Sequence, residues 1–550
     1  MRNSNREWPI FVQQWAYVGN WLREELPSLA DRDRAPVRKP ERIKHLAVHN
    51  HALRRSQPQL RKIEALRCAK RNFGSSPGVP GLIQLKLQEP PNTICALSHL
   101  MAKALESNVA SVTTSRAQLR QIGFLPLLAL FYGYTAGGPF GYEEIFQGSG
   151  PGMSLVFLTF VPFLWSIPIS FAAAEMNSIL PVQGGFYRWV RAAFGDFWGF
   201  QCGWWNWTGT FLLNSVYGVL LMDYLHDYIP GLTGEWKWAG AALALCLFGY
   251  LNVCGVQVAG WVAIVLQIAV FIPVAWLCIV TLFKLHYNPV LPFIPPGKPL
   301  GSVFGKGLAL AMWDYAGYEQ LSSVIGEVKD AQKTFVRVLA WNTPMNILTY
   351  TLPATLALAV LGNWQEWQTG YMVTAAQLIG GHPLGVAILI ASIIGTASLS
   401  NSTILYTTRI PATMAEDGYL PSWLGKIHPK YGTPARAIAV STLIYCLLAG
   451  TKVVDLVNVY IWTRIATSML TLLAAWGLRR KMPNALRSFR IPGGTVGLAA
   501  TIILPAILCG VKIYNSEPYV FRYAPWLLAG GPVAYVILRY VFRMKPASAT

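Results

Sequence analysis

From Val256 to Thr281 the chain carries no Lys and no acid. A run of that length exceeds the roughly 18 apolar residues that mark a membrane-spanning helix. Similar runs recur from Gly123 almost to the C-terminus, and by apolar length and flanking charge they number about twelve. Their approximate bounds are 124–147, 153–177, 198–226, 238–253, 258–284, 303–325, 338–361, 384–409, 435–450, 453–477, 496–514 and 524–542. Composition agrees: 53% of residues are hydrophobic and 13% charged, about half the charge of a soluble domain. The chain therefore reads as an all-α polytopic membrane protein.

The formal net charge of +20 would suggest nucleic acid in a soluble chain. Here much of it sits in short loops, where it sets topology, and the expected surroundings are a lipid bilayer with no nucleic acid. Arg188 and Arg191 follow the second run, Lys329, Lys333 and Arg337 the sixth, Lys426, Lys430 and Arg436 the eighth, and Arg479, Arg480 and Lys481 the tenth. Arg116 and Arg120 precede the first run. The alternation puts both termini in the cytoplasm of a protein of the cell (plasma or inner) membrane. The eight cysteines show no CxxC pair or His/Cys ligand spacing, so no metal, disulfide framework or cofactor is expected.

Residues 1–115 differ in composition, being rich in Arg, His, Pro and Gln without a sustained apolar run. Two readings stand open: a basic, disordered cytoplasmic extension, or translation that starts at Met101. The membrane-embedded core is expected over 116–545.

Two of the apolar runs are interrupted. In the first, Gly137-Gly-Pro-Phe-Gly141 cannot propagate a regular helix, because Pro139 lacks its N–H and the glycines add freedom. Glu143 and Glu144 follow at once. Half a chain later the sixth run carries Trp313, Asp314, Gly317 and Glu319, and Gly317-Tyr-Glu-Gln nearly copies Gly141-Tyr-Glu-Glu. Unpaired backbone groups are costly in hydrocarbon, so such breaks are tolerated where they face protein or a water-filled cavity. One reading of the first break is a kinked helix entering a polar loop. The other takes paired broken helices in two halves as a transporter's midplane binding site.

Four stretches in order resemble the amino acid–polyamine–organocation permeases: the break at Gly137–Gly141, Pro181–Trp189, Gly326–Asp330 with Lys333 and Arg337, and Ala415–Pro421 followed by Thr433-Pro434. The resemblance runs from about residue 120 to the C-terminus. Trp165-Ser-Ile-Pro168 and Ala174-Glu-Met176 look most like its polyamine-uptake and L-type-like branch. The resemblance implies a five-plus-five inverted repeat, 124–285 and 303–477, with broken first and sixth helices and two peripheral helices over 496–542. It also implies a small-molecule site between the breaks and alternating access. The plant polyamine members carry an acid directly after the Trp-Ser-Ile/Val-Pro proline; Ile169 stands there in this chain, a departure from the polyamine pattern.

The residues expected at such a site are Gly137, Gly138, Phe140 and Gly141, whose N–H groups would face a carboxylate, and Glu143, Trp313, Asp314, Gly317 and Glu319. Acids at both breaks shift the expectation toward cationic groups. Coupling or gating candidates are Glu144, Glu175, Arg464, Asn214 and Tyr217. For Glu175, an ion pair with a nearby Arg and a gating or proton-relay role are both open. Arg464 lies too deep to snorkel and is expected to face an acid or a cavity. Helix–helix hydrogen bonding is the alternative for Asn214 and Tyr217. The fifth run lacks the lysine that replaces a coupling sodium in some bacterial relatives, so the coupling ion is expected to be H+. The sum is a permease for amino acids or polyamines, not an enzyme; a nutrient sensor on the same fold and a neutral amino acid exchanger are the alternatives.

Overall fold

A computed structural model of the chain describes residues 122–226, 229, 231–450, 453–542 and 544. The extension expected over 1–115, Met101, and the start of the core with Arg116 and Arg120 lie outside the described residues. Among those described, every regular element is helical, and one isolated parallel bridge joins Ile122 to Val328. The first break separates α1 (Phe124–Thr135) from α2 (Glu144–Ser149). Next come α3 (Pro151–Leu164), α4 (Ser166–Ile179), α5 (Gly185–Phe194), α6 (Asp196–His226), α7 (Gly234–Cys254) and α8 (Val256–Leu282). The second break separates α9 (Leu300–Asp314) from a 3-10 helix, Tyr318–Glu327. Then follow α10 (Ala331–Leu361), α11 (Tyr371–Gly380), α12 (His382–Thr407), α13 (Arg409–Glu416), α14 (Ala435–Leu448), α15 (Val453–Lys481), α16 (Gly494–Tyr514) and α17 (Pro518–Val536).

Eight helical stretches among the described residues are long and apolar enough to cross a membrane, while α1, α11 and α14 are apolar but shorter. The outer surface of α7, α8 and α17 suits hydrocarbon: Leu247, Trp261, Val265, Ile272 and Trp526 are all more than half exposed, an arrangement water would penalise.

Inside, small residues let helices approach. A Cβ on Gly209 would lie 2.3 Å from Thr463 Oγ1, one on Gly218 2.9 Å from Leu245, one on Gly240 2.5 Å from Met222, and one on Gly260 2.9 Å from Ile122. At all four positions the missing side chain is what lets the neighbouring element approach this closely. Polar side chains bond across helices: Asn252 Nδ2 donates to Asn401 Oδ1 at 2.8 Å, and Gln267 Nε2 to Ser398 Oγ at 2.8 Å.

The tryptophans divide in a way the sequence did not indicate. Trp236 and Trp238 are exposed, as interfacial anchors should be. Trp207, Trp364 and Trp367 are buried. Trp367 packs edge-on against Phe146 at 4.6 Å and also meets Tyr371, so its indole closes the protein over α2 instead of facing lipid headgroups. Two helices fall where loops were expected. The first is α5, entered through Gly184 at φ +80°; the second is α11.

Candidate functional site

The first break is built by glycine geometry and by partners on α12. Gly137 takes φ +65°, and a Cβ there would stand 2.6 Å from Leu399 Cγ and 2.8 Å from Gly395 O. Both the left-handed backbone and the contact exclude a side chain. Gly137→Ala is expected to destabilise the fold by roughly 2 kcal/mol or more, read as a lowered thermal unfolding midpoint of the purified protein. Three of the four N–H groups expected to face a carboxylate already have acceptors. Gly137 donates to Tyr132 O at 3.2 Å and Phe140 to Gly138 O at 3.0 Å; Gly141 donates to Glu143 Oε2 at 2.9 Å.

The second break meets the first. Gly317, at φ +91°, would carry a Cβ 2.6 Å from the ring of Tyr134, which stands just before the first break. Side chains of α10 and α4 satisfy the polar groups that the breaks release. Tyr350 Oη donates to Thr135 O at 3.2 Å, Asn342 Nδ2 to Thr135 Oγ1 at 2.9 Å, and Asn346 Nδ2 to Tyr318 Oη at 2.9 Å. Ser166 Oγ donates to Tyr315 O at 2.9 Å. Helix α10 is thus a polar brace behind both breaks.

Between the breaks lies a narrow cavity with room for about one water molecule. Six aromatic side chains line it: Tyr134, Phe140, Tyr217, Trp313, Tyr350 and Tyr460. Asp314 is the one charged side chain among the described lining residues; it is 5% exposed and its Oδ2 has no hydrogen-bond partner. Trp313 and Tyr217 stack at 6.3 Å on one wall. A carboxyl group with no ion-pair partner among the described residues, ringed by π faces, complements an ammonium group.

The other expected residues are distributed around this cavity. Glu143 is fully buried, with Oε1 unpartnered, and it lies within electrostatic reach of Asp314. Glu144 faces the loop before α11, where Thr369 Oγ1 donates to it at 2.6 Å. Glu319 does not line the cavity; it forms a buried ion pair with Arg464 and accepts from Ser468 Oγ at 3.1 Å. Asn214 receives a hydrogen bond from Ser400 on α12 at 3.4 Å. Glu175 does not line the cavity; it accepts hydrogen bonds from Nε and Nη2 of Arg479 at 2.6 Å and from the Ile491 N–H at 2.8 Å. Glu327, on the 3-10 helix, pairs with Arg409 at 3.2 Å. Tyr134, Tyr350 and Tyr460 are lining residues that sequence reasoning missed. Each is a tyrosine well inside an apolar run, where its hydroxyl needs a partner, and that signal could have found them.

A family profile described as "Amino acid permease" matches residues 122–531. The chain is 30% identical over 431 residues to a probable polyamine transporter of Arabidopsis thaliana, covering 78% of this chain and 86% of that protein. Polyamine transporter PUT1 of Oryza sativa subsp. japonica is 30% identical, with 78% and 80% covered. The serine/threonine exchanger SteT of Bacillus subtilis (strain 168) is 24% identical, with 76% and 96% covered.

Proposed function

Since this chain belongs to the amino acid permease family, we propose that it carries amino acids and polyamines across a membrane and prefers those bearing ammonium groups. The observation that carries this preference is the aromatic cavity in which Asp314, with Oδ2 unpartnered, is the one charged lining group among the described residues. An unpaired carboxylate in a buried site is expensive, and an ammonium relieves that cost while the rings add cation–π attraction. The occupied N–H groups of Gly137, Phe140 and Gly141 point the same way, because few donors remain for a substrate carboxylate. The names of the relatives, polyamine transporters and an amino acid exchanger, support the same substrate range. Transport here is carriage, with no covalent chemistry.

The architecture that fits this role has about twelve spans, the first ten forming a five-plus-five inverted repeat over 124–285 and 303–477. Helices over 496–542 are peripheral to it. Both termini are cytoplasmic in a plasma or inner membrane. Substrate sits between the breaks at Gly137–Gly141 and Asp314–Gly317, and access alternates between the two sides. Glu143 is the proposed proton carrier, since it is buried beside the first break with one oxygen free. Glu175, held by Arg479, is a fold latch in this reading, and Arg409–Glu327 is a closure at the cytoplasmic end.

Uptake by purified protein in proteoliposomes tests the proposal. An inward proton gradient without sodium is expected to drive labelled putrescine and arginine above leucine. Glu143→Gln is expected to keep substrate exchange but lose the response to the gradient. A strict sodium requirement contradicts the coupling, and a preference for leucine over every cation contradicts the substrate reading.

A further inference from the structure

The side chain of Arg464 lies on α15 one helical turn beyond Tyr460, a cavity-lining residue, and Ser468 follows one turn further on. Residues at this spacing share a helix face, so Tyr460, Arg464 and Ser468 form a polar stripe leading away from the cavity. Glu319 stands two residues past Gly317 on the 3-10 helix and meets this stripe, pairing with Arg464 and accepting from Ser468 Oγ at 3.1 Å. The side chains of the pair are 1% and 0% exposed. Its polar capacity is nevertheless only partly used: Glu319 Oε2 and Arg464 Nε have no hydrogen-bond partner. A buried pair serving only as a structural strut is expected to have its remaining donors and acceptors satisfied. Here one carboxylate oxygen and one guanidinium N–H remain available next to a site suited to ammonium groups.

We propose that Glu319 is a second cation station on the route out of the cavity, and that Arg464 is its resident counter-cation. With the cavity closed, Arg464 neutralises Glu319. A substrate ammonium leaving Asp314 displaces the guanidinium from Glu319, and Arg464 returns once the substrate has gone. Arg464 thereby lowers the affinity of this station for cations and keeps it from trapping them. A neutral side chain has no such exchange to make, so the pair discriminates between cationic and neutral substrates. This inference rests on the proposed function of the cavity.

The test measures equilibrium binding of labelled putrescine and leucine to purified wild-type protein, Arg464→Lys, Arg464→Gln and the doubly neutral Glu319→Gln/Arg464→Gln. Removing the competitor is expected to tighten putrescine binding about tenfold in Arg464→Gln, the scale of one charge-assisted hydrogen bond in a buried site. Arg464→Lys, which keeps the charge and loses the planar fork, is expected to shift binding in the same direction by less. It decides the question if Arg464→Gln does not fold. The double variant is expected to return putrescine binding to within about twofold of wild type, because station and competitor vanish together. Leucine binding is expected to stay level throughout. Equal shifts for both ligands, or unchanged putrescine binding in the folded Arg464 variants, overturn the exchange while leaving the cavity's function standing. Absence of putrescine binding in the wild type contradicts the proposed function itself.

Discussion

Asp314→Asn is expected to weaken putrescine binding about a hundredfold while leaving leucine within a few-fold of wild type. The carboxylate is 5% exposed, lines the cavity, and leaves Oδ2 without a partner. Truncating one member of a desolvated charge pair costs about 2–5 kcal/mol, and a hundredfold loss sits near the lower end of that range. Asn preserves shape and one acceptor, so the rings of Trp313, Tyr217 and Tyr350 keep their packing. Leucine, with its ammonium balanced by its own carboxylate, depends less on this charge. Competition binding with both ligands on the two proteins checks the result; equal losses would show that Asp314 shapes the site without recognising cations.

A second large effect is expected far from the cavity. Glu175→Gln should destabilise the protein by about 3 kcal/mol, because it leaves the Arg479 charge without its partner in a nearly buried setting. Glu175 holds both Nε and Nη2 of Arg479 and also accepts the Ile491 N–H. One side chain thus ties α4 to the end of α15 and to the segment before α16. The measurement is the thermal unfolding midpoint in detergent, read beside putrescine affinity. A lowered midpoint with unchanged affinity is the expected result. A stable variant with lost proton-driven uptake would instead make Glu175 a relay.

The paired breaks were legible because Gly137, Gly138, Pro139 and Gly317 interrupt apolar runs in a way no other residues would. The acids beside them were legible because charge is rare in such runs. What closes around them was not. Arg464 was readable as a deep charge that needed an acid, but not as the partner of Glu319, since the pairing depends on how α15 packs against the second break. Glu175 could be read as a carboxylate that pairs with a nearby Arg, yet its partner Arg479 stands 304 positions later. Aromatic identity carried even less information. Trp236 and Trp367 look alike in sequence, both in tryptophan-rich stretches at the ends of apolar runs, but the first faces outward and the second is buried against Phe146 of α2. The N–H groups of the first break were expected to be open. They are used internally because the chain turns tightly enough for Phe140 and Gly141 to find acceptors within three residues.

The claim on which all of this turns is that a cationic substrate sits between the two breaks, against Asp314 and inside the aromatic ring. A cryo-electron microscopy structure of the purified protein with saturating putrescine tests it most directly. The expected result is a diamine in the cavity, one ammonium about 3 Å from an Asp314 oxygen and its chain against the faces of Trp313 and Tyr217. A diamine bound elsewhere, with the Asp314 cavity unoccupied at saturation, would contradict it.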